Sequence, residues 1–179
     1  MKNSEAILEK LSRKEIVEML GGCWMTHDGS WFVSCVQEFG IDAANRLNKS
    51  AIRFLAPMEI ARMKKAFGTK ENIETFEEFR AFVVNAAAFF IPDFMNATMS
   101  FPEENILRWE FAPGKCFAFK GISRIGMIEK YECGVIYRIR CWCESLGLSF
   151  DVSGEPVRCR MLDTGTCSGE FRFAFGGKD

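Results

Sequence analysis

The sequence is short of the residues on which most recognisable chemistry depends. It holds one histidine, His27, in 179 residues, so multi-histidine metal centres and most histidine-centred acid–base schemes have a single residue to work with. There is no P-loop, no G-x-G-x-x-G after a strand, no H-E-x-x-H and no G-x-S-x-G, which removes the commonest nucleotide-binding, zinc-protease and serine-hydrolase readings. None of the eight cysteines forms a C-x-x-C pair, so a redox dithiol and half of a zinc ribbon are both missing. Charge is balanced, with 23 Lys and Arg against 24 Asp and Glu, leaving no positive field to hold nucleic acid or an anionic membrane. No stretch reaches about eighteen apolar residues free of charge, and MKNSEAILEK contains no unbroken apolar core; the expectation is a chain that neither spans a membrane nor is secreted and that works in the cytoplasm.

What is present points to a large interior. Hydrophobic residues make up 48% of the chain and eighteen residues are Phe, far from the polar balance of disorder. A chain of this length should fold as one domain, residues 1–179, and bury roughly 70% of its extended surface. In a reducing compartment the cysteines should be thiols, metal ligands or reactive groups rather than disulfides, and each one singly is most simply a small core residue.

The pattern divides the chain into a helical half, 1–91, and a sheet half, 92–179. Ser12-Arg13-Lys14-Glu15 forms a capping box that opens a helix, which runs toward Gly40 as its stop. Ile16, Leu20, Cys23, His27, Trp31 and Cys35 recur at intervals of three or four, which predicts the inward face. Gly21-Gly22 and Asp28-Gly29 predict a kink or close packing within it. Asp42 caps a second helix through about Phe54, Pro57 opens another that ends by Gly68, and a third, strongly apolar helix runs from about Ile73 to Phe90, stopped by Pro92.

Beyond Pro92 the period becomes two. Thr98 to Phe101, Ile106 to Phe111 and Cys116 to Phe119 read as strands, Ser123 to Leu146 as helix with a break at Cys133-Gly134, and Val157 to Leu162 and Ser168 to Phe175 as a C-terminal hairpin turning at Asp163-Thr164-Gly165. The fold class is therefore α+β: N-terminal helices packed on a mainly antiparallel C-terminal sheet with an inserted helix at about 123–147.

Two groups of residues could carry chemistry. His27 and Asp28 lie next to each other, near Trp24 and Trp31, and could supply polar contacts at the floor of an aromatic pocket; the plainer alternative is a core histidine with its hydrogen bonds satisfied beside a helix-capping aspartate. Cys116, Cys133, Cys159 and Cys167 lie on different predicted elements, so the fold could gather them as thiolate ligands for zinc or an iron–sulfur cluster. Their spacing, sixteen residues between the first two and seven between the last two, matches no zinc-ribbon or ferredoxin pattern. In Cys141-Trp142-Cys143, residues two apart on a helix point about 160° away from each other, which predicts one core and one surface thiol.

The segment Trp24, His27-Asp28-Gly29-Ser30-Trp31-Phe32, Glu38-Phe39-Gly40 and on to Lys64-Lys65-Ala66-Phe67-Gly68 resembles an uncharacterised family of small prokaryotic proteins with an Asp-Gly-x-Trp-Phe motif and a cysteine-bearing C-terminal half. That family's cysteine pattern maps onto Cys116, Cys133, Cys159 and Cys167, although its Cys-Pro-Pro-Asp segment is absent after Cys159. Glu155 through Phe173 is distantly similar to the end of the 4-vinyl reductase domain, a small-molecule-binding module. Relatives resemble the L-2-amino-thiazoline-4-carboxylate hydrolase family, which implies an enzyme alternative.

The leading expectation is a small-molecule-binding or sensing domain whose pocket is lined by Trp24, His27, Asp28, Trp31, Phe171 and Phe173. The alternatives are a hydrolase-like enzyme using a cysteine thiolate such as Cys167 with His27 as base and Asp28 as orienter, a protein holding Zn or Fe–S on its cysteines, and a structural or interaction protein. A small-molecule ligand is the expected partner, with a second copy of the chain as a further candidate and neither nucleic acid nor membrane.

Overall fold

The computed structural model describes residues 9–154 and 157–175. The expected absence of a leader falls largely on residues 1–8, and the expected loose tail on Gly176 to Asp179; both lie outside the described residues, as does Glu155, where the vinyl-reductase resemblance begins.

Helix α1 spans Arg13–Phe39. It starts where the capping box puts it: the Ser12 hydroxyl accepts from the Glu15 N–H at 3.2 Å, and the Glu15 carboxylate accepts from the Ser12 N–H at 2.8 Å. Together these satisfy two of the orphan donors at the helix start. Gly40 ends it with φ 81°. The helix is assigned without a break through both glycine pairs. Close packing occurs at Gly21 alone of the three helical glycines, where an added Cβ would lie 3.6 Å from the Pro92 ring.

Helix α2 spans Ile41–Phe67 as one element, a correction to the two helices expected on either side of Pro57. Pro57 and Arg53, the residue four positions earlier, are both exposed. The carbonyl that loses its helical partner therefore faces water, which lowers the penalty of an internal proline. Gly68 closes α2 in the left-handed region at φ 65°. Helix α3, Phe76–Phe90, begins three residues later than the period suggests, at a second capping box formed by Thr75 and Glu78.

The sheet is built from β1 (Ala97–Ser100), β2 (Ile106–Phe111), β3 (Phe150–Ser153) and β4 (Cys167–Phe173), all antiparallel, in the order β1-β2-β4-β3. Between β2 and β3 lie helices α4 (Phe117–Arg124) and α5 (Gly134–Ser145), and before β4 comes a single turn of helix, α6 (Arg160–Thr164). Three expectations are corrected here. Cys116 to Phe119 opens α4 instead of forming a strand, and Val157 to Leu162 is no strand: Arg158 makes one isolated bridge to Glu132, and Arg160 onward is helical. The strand missed from sequence is β3. Gly165 does adopt the left-handed conformation, φ 72°, but as the cap of α6 rather than as a hairpin turn.

One sheet face is apolar and one is charged, as expected of an antiparallel sheet covered on one side. Leu107, Trp109, Phe111, Phe171 and Phe173 are buried, whereas Arg108, Glu110 and Arg172 are exposed. On the outer face the exposed Arg108 and Arg172 guanidiniums both reach Glu170, whose side chain they largely cover. On the inner face α3 packs directly on β4, with the Phe79 and Phe173 rings 4.3 Å apart. A single buried cluster runs from Phe32 and Ile60 on the long helices to Phe171 on the sheet.

Two glycines are required by close approach. Gly169 pairs with Trp109 across β4 and β2, and a Cβ there would come within 2.3 Å of the indole; the indole fills the space a side chain would take. At Gly134 a Cβ would lie 2.6 Å from the Asn48 amide nitrogen and 3.2 Å from the Ile52 methyl, so the start of α5 lies close against α2, and a side chain there would have to displace both. Cys141 and Cys143 are both buried, at 2% and 3% exposure, correcting the expectation of one surface thiol. Helix α5 is covered on opposite sides: Cys143 joins the main core, while Cys141 packs with Ile52 and Ala56 of α2.

Candidate functional site

Helices α1, α2, α4 and α5 do not close completely on the sheet. They leave a cavity of about 790 Å³ bounded by Trp24, Asp28 and Phe32 of α1, Asn48 of α2, Trp109 and Phe111 of β2, Phe117 and Ile122 of α4, Tyr131, and Arg138 and Trp142 of α5. Its walls are mainly apolar and aromatic, with a few polar groups set among them, the usual construction of a small-molecule pocket.

The polar wall is a charge-compensated stack. The Arg138 guanidinium lies 4.5 Å from the Trp24 ring centroid and 6.0 Å from that of Trp142. It donates to both carboxylate oxygens of Glu59, at 2.8 and 3.3 Å, and the Trp142 indole N–H adds a third bond to the same carboxylate at 2.6 Å. Glu59 is only 6% exposed. A buried carboxylate is tolerated when its charge and lone pairs are answered in this way. Arg138 therefore presents a stacked planar cation whose charge is already met by Glu59.

Opposite it, Tyr131 is fixed from two sides. Its ring edge meets Phe32 at 5.7 Å and 87°, and its hydroxyl oxygen accepts from the Gly134 N–H at 3.0 Å, which leaves its own proton free to donate. Burial holds the phenol well above its ordinary range, so the group is a neutral hydroxyl. Asn45 locks this segment to α2, donating to the Lys130 carbonyl at 2.8 Å and accepting from the Glu132 N–H at 3.2 Å.

Of the residues expected at the pocket from sequence, Trp24 and Asp28 border the cavity. His27 and Trp31 do not. Both are exposed, Trp31 by 50%, as is Leu20 by 63%, so the expected inward stripe holds at Cys35, which is buried, and is corrected before it: Trp24 and Phe32 face in instead of His27 and Trp31. The second stripe shares the same three-to-four spacing, and α1 carries apolar residues on every side, so periodicity alone cannot choose between them. Phe171 and Phe173 are buried at 0% and 6%, packed against Trp109 and Phe79 with ring centroids 5.2 and 4.3 Å apart. They are core beneath the sheet and border neither this cavity nor the next one.

Cys167 borders a different, closed cavity of about 20 Å³, and so do Cys116, Cys133 and Cys159. The fold thus gathers the four cysteines singled out from sequence, three of them from residues immediately preceding α4, α5 and α6. Among the described residues no three metal-capable side chains already close on one point. Burial raises the Cys116 and Cys167 thiols and pushes Cys133 up to about 12, so as free thiols they are neutral and weakly nucleophilic. Cys167 shares no cavity with His27 or Asp28.

Sequence reasoning overlooked Phe32, Glu59, Arg138 and Trp142. Phe32 belongs to the Asp-Gly-x-Trp-Phe run and sits one residue beyond Trp31 of the expected stripe. Glu59 and Arg138 are separated by 79 residues, and no local pattern connects them. A model of a family of unknown function, DUF6125, matches residues 8–95, the stretch that carries α1, α2 and α3. No curated protein and no solved structure matches the chain. Among the described residues no helix is long and apolar enough to cross a membrane.

Proposed function

We propose that this chain is a small-molecule-binding domain whose ligand occupies the cavity between α1, α5 and β2. The observation that carries this reading is the cavity itself: about 790 Å³ falls within the roughly 300–1,000 Å³ typical of ligand sites. A well-packed core of this size would leave few voids larger than a water molecule. The lining favours an apolar, planar body that can lie among Trp24, Phe32, Trp109 and Trp142. Arg138 is compensated by Glu59, so the polar contacts left are few: the Tyr131 hydroxyl as a donor, the Asn48 amide, and Asp28.

The test is a titration of the purified protein with 8-anilinonaphthalene-1-sulfonate, an apolar aromatic probe, followed by its emission and by tryptophan quenching. Saturable binding of one equivalent is expected. Gly121 borders the cavity, and an added Cβ there meets no atom within 4 Å, so Gly121→Phe should fill the space without disturbing the fold and abolish binding. A wild type that shows no saturable binding, or a folded Gly121→Phe that binds equally well, would overturn the proposal.

A further inference from the structure

We propose that Cys116, Cys133, Cys159 and Cys167 are the ligands of a single zinc ion, seated in the small closed cavity between β4 and the first residues of α4 and α5. A lone buried cysteine is an ordinary core residue. Here four of the chain's eight cysteines, from segments spread over fifty residues, border one cavity that contains no histidine or carboxylate. An all-sulfur set of four selects a soft, tetrahedral ion over magnesium, calcium or manganese, and a site with all four positions filled by protein is structural rather than catalytic.

The volume favours an ion over a cluster. A cavity of about 20 Å³ admits roughly one water-sized sphere, which suits one ion with four sulfurs at about 2.3 Å and leaves no room for several irons and sulfides.

The surrounding donors point the same way. No side-chain oxygen caps α4 or α5, so the first backbone N–H groups of both helices stand beside Cys116 and Cys133 without an intrahelical partner. The Trp109 indole N–H is buried without a hydrogen-bond partner, on the strand whose Phe111 pairs with Cys167. A neutral thiol is a weak acceptor, whereas a metal-bound thiolate can satisfy such donors. No three of the thiols close on one point as they stand, so taking the ion requires the cysteine side chains to draw together. Each ligating thiol gives its proton to solvent, so one zinc ion entering releases four protons.

The experiment uses the full chain, expressed without a histidine tag and purified anaerobically. Elemental analysis should find about one equivalent of zinc, since such sites bind tightly and couple to folding. After removal of the metal, titration with Zn²⁺ should restore one equivalent and release about four protons, and Co²⁺ should give intense sulfur-to-metal charge-transfer absorption. Cys159→Ser and Cys167→Ser should lose the ion, while Cys141→Ser, which alters a buried thiol outside the cavity, should keep it. Should the serine variants fail to fold, the wild type still decides: chelation should lower its melting temperature and added zinc restore it. Wild-type protein with less than about a tenth of an equivalent and no stoichiometric uptake of Zn²⁺ would overturn the proposal. So would full zinc content in Cys159→Ser, or several irons with inorganic sulfide in place of zinc.

Discussion

The orientation of α1 about its own axis fixes which residues the cavity can use, and adjacent aromatic residues test it. Phe32 is 6% exposed and meets Tyr131 edge-on; Trp31 is 50% exposed. Truncating a buried Phe to Ala removes its transfer energy and leaves a void, about 3–5 kcal/mol in total. One side of Phe32 already faces the cavity, so the lower end, about 3 kcal/mol, is expected for Phe32→Ala. Trp31→Ala, although it deletes the larger side chain, should cost no more than about 1 kcal/mol, because surface substitutions usually fall within about 0.5 kcal/mol and only part of this indole is covered. Urea denaturation followed by far-ultraviolet circular dichroism would compare the two, with an unchanged slope confirming that the same transition is being measured. If Trp31→Ala proves the more destabilising, α1 is turned by about 100°, one residue's rotation, and the wall formed by Trp24, Asp28 and Phe32 is misassigned.

Truncation after Gly165 should give protein with no cooperative urea transition, because it removes β4, which bonds to β2 on one side and β3 on the other, together with Phe171 and Phe173; a cooperative melt near the full-length midpoint would contradict the strand order. Gly169→Ala places a methyl within 2.3 Å of the Trp109 ring and 2.5 Å of the Ser153 carbonyl oxygen and should cost about 1–3 kcal/mol as overpacking, checked by urea denaturation; because the backbone contact stays, adding Trp109→Leu should recover only part of that cost. Glu78 is held down to about 2 by the Lys70 ammonium, with the Glu74 N–H next. Because the folded value is depressed, its contribution is full above the unfolded carboxylate value and fades as pH falls through about 2; a side-chain NMR titration should find that low midpoint, and Lys70→Ala should raise it.

Much of the architecture was legible because it rests on local physics. Ser12 with Glu15, Gly40 and Gly68 are capping signals whose effect is confined to one turn of helix, and the structure places the boundaries at each of them. The alternation around Trp109 and Phe171 likewise reflects burial of one sheet face. Local signals mislead where tertiary position outranks them. Pro57 ends a helix in isolation but is tolerated where the freed carbonyl faces water, and Cys159 with Met161 alternates like a strand yet belongs to a helical turn. Phe150–Ser153 was missed because four residues with a polar Asp151 give too short a period to read. At the site, Trp24 and Asp28 were accessible to sequence reasoning because they sit in a dense aromatic motif. The Glu59–Arg138 pair was not, since a contact between α2 and α5 has no trace in either helix alone.

The two cavities are neighbours, and their relation follows from which side chains separate them. Phe111, Ala118, Tyr131 and Val135 border both, so the larger space and the four-cysteine space are divided by one layer of side chains. Two of those residues lie on α4 and α5, the elements that Cys116 and Cys133 precede. A third, Tyr131, is bonded to the Gly134 N–H, one residue beyond Cys133. Helix α4 has only eight residues, too few to be stable by its own hydrogen bonds, so its position depends on what it packs against. On one side that is the partition of the larger cavity, and on the other the cysteine cluster. Whatever holds the sulfurs of Cys116 and Cys133 in place therefore also holds the starts of both helices, and with them Phe117, Ile122 and Arg138 on the wall that faces the larger cavity. The far wall, α1, is secured separately by its capping box and by packing along α2, which makes α4 the side of the cavity whose placement depends most on the thiols.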